Sequence, residues 1–265
     1  MNIKQRIKKI IFSEQNLLVH ESVHKTMHEP ANPYSTIWRD LTKEEIYNIN
    51  FVKDYTMTSV ERLVTLSRSI EFLIENNIEG DIVECGVWRG GSMMLVANKL
   101  LELKSIDKKI YLFDTFEGMS EPGDKDVAWD KISAEEKLYN AEKYGERNVW
   151  CYSTLEEVKN NLNKTAYPEN EILYVQGKVE DTLPHSAINK ISLLRLDTDW
   201  YESTKHELEC LYDKLEVGGI LIIDDYGHWE GAKKAVDEFI QKRKLKLFLN
   251  RIDYTGRLAV KISQD

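Results

Sequence analysis

The chain is short of cysteine, of proline and of long apolar runs. Its 265 residues include three cysteines and five prolines. Cys85, Cys151 and Cys210 stand far apart and form no Cys-x-x-Cys pair. That excludes a disulfide framework and argues against a zinc site, and it fits a reducing compartment. No stretch approaches the roughly 20 apolar residues that a membrane-spanning helix needs. Positive charge is in deficit too. A formal net charge of −9 argues against a nucleic-acid surface and leans toward a neutral or cationic small substrate. Residues 1–12 are basic and then briefly apolar. The apolar part is too short for a secretory signal, and no small-residue cleavage site follows. We read this segment as an amphipathic arm and expect a cytoplasmic protein, so Asn163-Lys-Thr165 is a chance match to a glycosylation acceptor. Internal repeats and low-complexity tracts are absent.

Acids, by contrast, are concentrated at two places. The run 191–199 is apolar and then turns acidic at Asp197 and Asp199. The run 219–225 does the same at Asp224 and Asp225. Continuous aliphatic runs bounded by glycine and charge predict strands buried on both faces. If the two strands are parallel neighbours, their carboxyl ends gather four carboxylates around the crevice where open α/β sheets bind ligands. Carboxylates about 4 Å apart repel by roughly 4 kcal/mol per pair at an effective dielectric near 20. A proton or a cation must relieve that, and oxygen-only ligands suit magnesium.

Strand and helix alternate from residue 81 onward, which predicts an α/β domain with a mostly parallel sheet. Expected strands are 81–86, 109–114, 172–176, 191–197 and 219–225, with 245–249 and 257–262 closing the sheet as an antiparallel pair. Expected helices are 57–76, 91–100, 202–215 and 232–243, from their apolar spacing. Residues 1–54 read as a separate segment of short helices and loops, covering the site or an oligomer interface. The domain then spans 55–265. Residues 117–150 interrupt the rhythm with glycine, proline, charge and the aromatics Trp129, Tyr139, Tyr144 and Trp150. A connection this long is expected to be a lid.

Between the first strand and its helix lies Glu84-Cys-Gly86-Val-Trp-Arg89-Gly90-Gly91-Ser92. The glycines permit a tight turn and a close backbone approach to a ligand. Trp88 occupies the second glycine of a dinucleotide fingerprint, and no Gly-Lys-Ser/Thr follows, so a pyrophosphate cradle is poorly supported. A nucleoside with a zwitterionic tail fits better, with Glu84 toward an ammonium and the amides of Gly90 and Gly91 toward a carboxylate. Asp114, ending the second strand, stands where an acid commonly bonds ribose hydroxyls. A helix cap or a surface acid is its structural alternative.

Four segments, 81–97 (DIVECGVWRGGSMMLVA), 112–119 (LFDTFEGM), 194–204 (LRLDTDWYEST) and 222–232 (IIDDYGHWEGA), resemble the TylF/MycF group. These are S-adenosylmethionine- and magnesium-dependent O-methyltransferases acting on sugars of glycosylated natural products. Tyr55-Thr-Met-Thr58 resembles the segment with which that group covers its cofactor. The resemblance spans roughly residues 50–262. It implies a class I methyltransferase, Rossmann-like, with a mostly parallel seven-stranded sheet, an antiparallel closing strand, an N-terminal helical segment and a lid insertion. It further implies magnesium ligation by Asp197, Asp224 and Asp225, with Asp197 as general base. The cofactor pocket would comprise Thr56, Met57, Glu84, Gly86, Arg89, Gly90, Gly91, Ser92, Asp114, Thr115 and Phe116. The acceptor would be a small molecule carrying a sugar, and the assembly a homodimer or larger.

Other residues stay open on sequence grounds. Asp199 can share the face of Asp197 if the strand continues that far. His228 is a base or acceptor contact, or else a surface or capping histidine. His206 reads as solvated or structural. Arg195 pairs with a carboxylate or snorkels. Trp200, Tyr201 and Trp229 form a wall for a sugar ring or pack in the core. Three competing functions remain. A nicotinamide-dependent oxidoreductase has a Tyr139-x-x-x-Lys143 pair in its favour and a missing glycine fingerprint against it. A non-catalytic protein of this fold is disfavoured by the intact acids. A metal-dependent catechol O-methyltransferase would need a flat acceptor slot rather than a polar one.

Overall fold

The computed structural model describes residues 40–144 and 151–264. The expected basic arm and Trp150 lie outside the described residues. Seven strands form one sheet: β1 (Asp81–Cys85), β2 (Ile110–Asp114), β3 (Ile172–Gln176), β4 (Ile191–Leu196), β5 (Leu215–Ile223), β6 (Asn250–Arg251) and β7 (Arg257–Val260). Their order is β3-β2-β1-β4-β5-β7-β6. The first five are parallel, and β7 and β6 close the edge antiparallel, as expected. The order reverses between β1 and β4, so a crevice opens at their carboxyl ends.

The helices are α1 (Lys43–Val52), α2 (Val60–Glu75), α3 (Gly91–Glu102), α4 (Ala134–Tyr144), α5 (Leu155–Leu162), α6 (Val179–Thr182), α7 (Tyr201–Leu211) and α8 (Glu230–Arg243). Successive strand residues face opposite sides of the sheet, and this builds two cores. On one face Ile82, Leu112, Leu193 and Ile222 pack with Leu63, Leu66 and Ile70 of α2 and with Met93 and Met94 of α3. On the other, Val83, Phe113, Leu194 and Ile223 pack with Leu208 and Leu211 of α7 and with Val236 and Phe239 of α8. β4 is buried throughout, which is why it reads as an unbroken apolar run. Among the described residues no helix is long and apolar enough to cross a membrane.

Three boundaries differ from expectation. α2 begins at Val60 rather than Met57, because the Ser59 side chain accepts from Arg62 N and starts the helix there. β5 begins at Leu215, the last residue expected in α7, and takes in residues 216–218 before the expected start of the strand. Gly218, at φ 86°, lies within it where the register with β4 shifts. Residues 245–249 form no strand. Leu245, Leu247 and Leu249 bury one side against the second core, but the ladder with β7 runs only through Asn250 and Arg251.

Candidate active site

One cavity of about 410 Å³ opens at the carboxyl ends of β1, β2, β4 and β5. Gly86, Val87, Trp88, Asp114 and Thr115 line one part of it, and Asp197, Asp199, Asp224, Asp225, His228 and Tyr254 another. Met57, Thr58 and Arg62 line it as well.

The glycine turn is built by close approach. Gly86 has φ 83°, and a Cβ there would lie 2.0 Å from the carbonyl oxygen of Asp197. Only glycine fits where the ends of β1 and β4 meet. Trp88 takes a left-handed φ of 47°, which is unusual for a bulky residue and marks the sharpness of this turn. Asp114 braces this turn: its carboxylate accepts from Val87 N at 2.6 Å, Trp88 N at 3.2 Å and Phe116 N at 2.7 Å. Burial nevertheless pushes its pKa up, against the pull of those amides. Asp114 is thus both a cap for the turn and a wall of the cavity.

Several residues expected at the cofactor do not line this cavity. Glu84 is buried and accepts from Arg195 Nη1 at 2.7 Å, behind the cavity rather than facing it. Arg89 turns outward, donating to Glu157 at 2.7 Å and to the carbonyl of Asp54 at 2.8 Å. Gly90 and Gly91 are packing positions. A Cβ on Gly91 would lie 2.5 Å from Tyr55 O, so the start of α3 carries residue 55 on its backbone. Ser92 and Phe116 are buried, and the Thr56 hydroxyl accepts from Thr58 N at 3.0 Å. These residues shape and support the turn; Gly86, Asp114, Thr115 and Met57 are the ones of that set that reach the space.

The acids regroup. Ligand oxygens of Asp197, Asp199 and Asp225 lie within 4.8 Å of one another. Asp224, grouped with Asp197 and Asp225 on sequence grounds, instead accepts from Arg195 Nη2 at 2.6 Å and from Arg62 Nη1. The cause is alternation. Asp224 shares the α2-facing side with Ile222, where both arginines lie, while Asp225 is turned the other way. Asp199, at φ 67°, sits in a left-handed turn that brings it back beside Asp197.

The electrostatics follow. Burial and the Asp199 charge push Asp225 well above the carboxylate range, and burial pushes Asp199 up to about 7. Carboxyls this close need a shared proton or a cation between them. Burial, opposed by Arg195, raises Asp197. Asp224 moves the other way: despite burial, Arg195 and Arg62 hold it below its usual value. Asp225 Oδ2 is buried without a hydrogen-bond partner. An all-carboxylate cluster with an orphaned oxygen fits a hard divalent cation.

His228 lines the cavity beside Tyr254, its Nδ1 3.2 Å from the phenol oxygen, and burial lowers its pKa. Trp200 and Trp229 pack edge to face at 5.0 Å in a small core with Ala128 and Leu138; only Trp229 also lines the cavity. Tyr201 hydrogen-bonds Glu238, and His206 lies 3.3 Å from Leu183 O, away from the acids. Tyr139 is exposed and lines no part of the cavity, which leaves the Tyr-x-x-x-Lys reading without a site. Unforeseen lining residues include Arg62, Lys178, Glu180, Ser203 and Tyr254. Gly177 beyond β3, another parallel strand end, could have signalled Lys178 and Glu180. Nothing local marks Tyr254.

Over most of its length the chain is similar to known proteins. The family model for macrocin-O-methyltransferase (TylF) matches residues 8–260. The demethyldecarbamoylnovobiocin O-methyltransferase of Streptomyces niveus is 33% identical over 232 residues, covering 86% of this chain and 85% of that protein. The 8-demethyl-8-(2,3-dimethoxy-alpha-L-rhamnosyl)-tetracenomycin-C 4'-O-methyltransferase of Streptomyces olivaceus is 32% identical over 202 residues, 76% of this chain and 74% of that one. The solved structure of the O-methyltransferase NovP superposes with a TM-score of 0.69 at 32% identity, over 79% of this chain and 83% of that one.

Proposed function

Since the chain belongs to the TylF macrocin-O-methyltransferase family, whose members are S-adenosylmethionine-dependent O-methyltransferases, we propose that it methylates a sugar hydroxyl of a glycosylated small molecule with the aid of magnesium. The relative named for a rhamnosyl 4'-O position supports a sugar acceptor. The observation that carries the reading is the continuity of one cavity, running from the braced glycine turn to the acid cluster.

Gly86, Asp114 and Thr115 would receive the nucleoside end of the donor, and Met57 would cover it. Asp197, Asp199 and Asp225 would hold the divalent ion. When bound, the ion stabilises developing negative charge on the acceptor oxygen. Asp199 takes the hydroxyl proton as the new bond forms, because no arginine holds it whereas Asp197 is tied to Arg195. This moves the base role from Asp197, the residue the family motif favours, to its neighbour. His228 and Tyr254 would contact the acceptor. Placement and exclusion of water supply most of the acceleration. Residues 117–133 would serve as part of a lid: Ala128 bridges to Trp229, and Trp129 N donates to His228 O at 2.9 Å. Residues 1–54 as a covering segment, and a homodimer or larger assembly, belong to the same proposal.

Calorimetric titration of S-adenosylmethionine and S-adenosylhomocysteine, with magnesium and with EDTA, tests it. Micromolar binding of both with NAD and NADP silent supports the reading. Absence of sulfur-cofactor binding by folded protein overturns it.

A further inference from the structure

The turn after β1 has an outer side as well as a cavity side. Arg89, which points away from the cavity, holds two segments that border it. Its Nε donates to Glu157 Oε1 at 2.7 Å, and its Nη1 donates to the carbonyl oxygen of Asp54 at 2.8 Å. Asp54 leads into Met57 and Thr58, which line the cavity. Glu157 lies in the first turn of α5, and its other oxygen accepts from the Ser153 hydroxyl at 3.1 Å. Ser153 is buried and stands two residues after Cys151, which also lines the cavity.

Packing repeats the connection. The Arg89 guanidinium lies 5.4 Å from the centre of the Tyr55 ring. Lys164, just past α5, places its Nζ 4.4 Å from the same ring centre and donates to the Tyr55 hydroxyl at 3.0 Å. Asn161 of α5 donates to the Arg89 carbonyl at 3.0 Å, which ties the turn itself to that helix. Residues 54–58 are therefore joined to α5 through side chains at the surface. Arg89 and Glu157 are 35% and 36% exposed, and an ion pair that open to water adds little to stability. It fixes geometry instead, because a planar fork directs both of its acceptors at once. Such a contact can break and re-form while the sheet beneath stays folded.

We propose that Arg89 is a positioning residue for the methyl donor. Its guanidinium latches residues 54–58 to the start of α5, and the cofactor leaves when this latch opens. This rests on the S-adenosylmethionine reading above, and no acid of the cluster enters it.

The test uses the full chain with Arg89→Ala, Arg89→Lys and Glu157→Gln, and two probes, S-adenosylhomocysteine and methylthioadenosine. Methylthioadenosine lacks the amino-acid tail, so a direct contact between Arg89 and the tail carboxylate would affect only the first probe. Affinity is read by calorimetry, release by stopped-flow tryptophan fluorescence, and folding by thermal melting without ligand. Arg89→Ala is expected to bind both probes about 5- to 20-fold more weakly, through faster release. Arg89→Lys and Glu157→Gln should shift the same way by less, with melting temperatures within about 4 °C of the parent. If Arg89→Ala does not fold, Glu157→Gln carries the comparison. Folded variants that bind and release both probes like the parent overturn the proposal. So does a loss confined to S-adenosylhomocysteine, or tighter binding by Glu157→Gln, because either marks a direct contact with the tail. A folded parent that binds no S-adenosylhomocysteine overturns the methyltransferase reading, and this proposal with it.

Discussion

Asp225 is the residue at which stability and function oppose each other. Its Oδ2 is buried and unpartnered, and its neighbours are acids. Replacing it with asparagine removes an acid that the fold accommodates only by taking up a proton at a cost. Asp225→Asn should therefore melt higher than the parent in EDTA while losing most divalent affinity and turnover, a trade-off expected of strained sites. Melting curves with and without Mg²⁺ read the first effect, and a methylation assay the second. Asp114 behaves differently, because its oxygens serve three backbone amides. Asp114→Ala leaves those donors in a buried turn, at about 1–3 kcal/mol. It should lower the melting temperature and weaken S-adenosylhomocysteine binding together, a pairing that calorimetry and melting can check.

At the scale of elements, one buried side chain helps to anchor residues 117–133. Asp126 is 2% exposed and accepts from Gly123 N at 2.7 Å and from Tyr201 N at 2.8 Å. The second bond makes it a cap for α7 supplied from another part of the chain, since Trp200 offers no side-chain cap of its own. Asp126→Ala should speed proteolysis within residues 117–133 and raise the acceptor KM, with S-adenosylhomocysteine affinity nearly unchanged. A protease time course beside calorimetry tests this. The start of α3 makes the complementary case. A methyl group on Gly91 would press on Tyr55 O and displace the segment that covers the cavity. Gly91→Ala should weaken cofactor binding although Gly91 does not line the cavity, and titration with S-adenosylhomocysteine measures it.

For the whole molecule the buried acids set the response to pH. Burial raises Glu84 from 4.5 to about 7 and Asp199 from 3.8 to about 7, and it raises Asp197, Asp225 and Glu207 as well. Between their unfolded and folded values the native chain holds protons that the unfolded chain releases. Stability therefore falls as pH rises through roughly 4 to 7, the reverse of an ordinary salt-bridged carboxylate. The melting temperature in EDTA should be higher at pH 5.5 than at pH 8. Added Mg²⁺ should flatten that slope, because a cation replaces the shared proton.

Much of this was legible in the residues themselves. Buried parallel strands appear as unbroken apolar runs, so β1, β2, β3 and β4 could be read to within a residue or two. The acids at the strand ends named the crevice because chain order and strand order are linked in such sheets. Gly86 was legible because only glycine allows that approach. Tertiary structure decided the rest. That Asp199 lies beside Asp197 and Asp225 while Asp224 pairs with Arg195 and Arg62 depends on which face each side chain takes and on arginines from elsewhere in the chain. The retreat of Glu84, Arg89 and Phe116 from the cavity depends on packing partners far off in sequence. Tyr254 reaches the site from the loop between β6 and β7. Local pattern determines what an element is and where it ends; which carboxylate meets an arginine and which meets open space is a matter of three-dimensional neighbours.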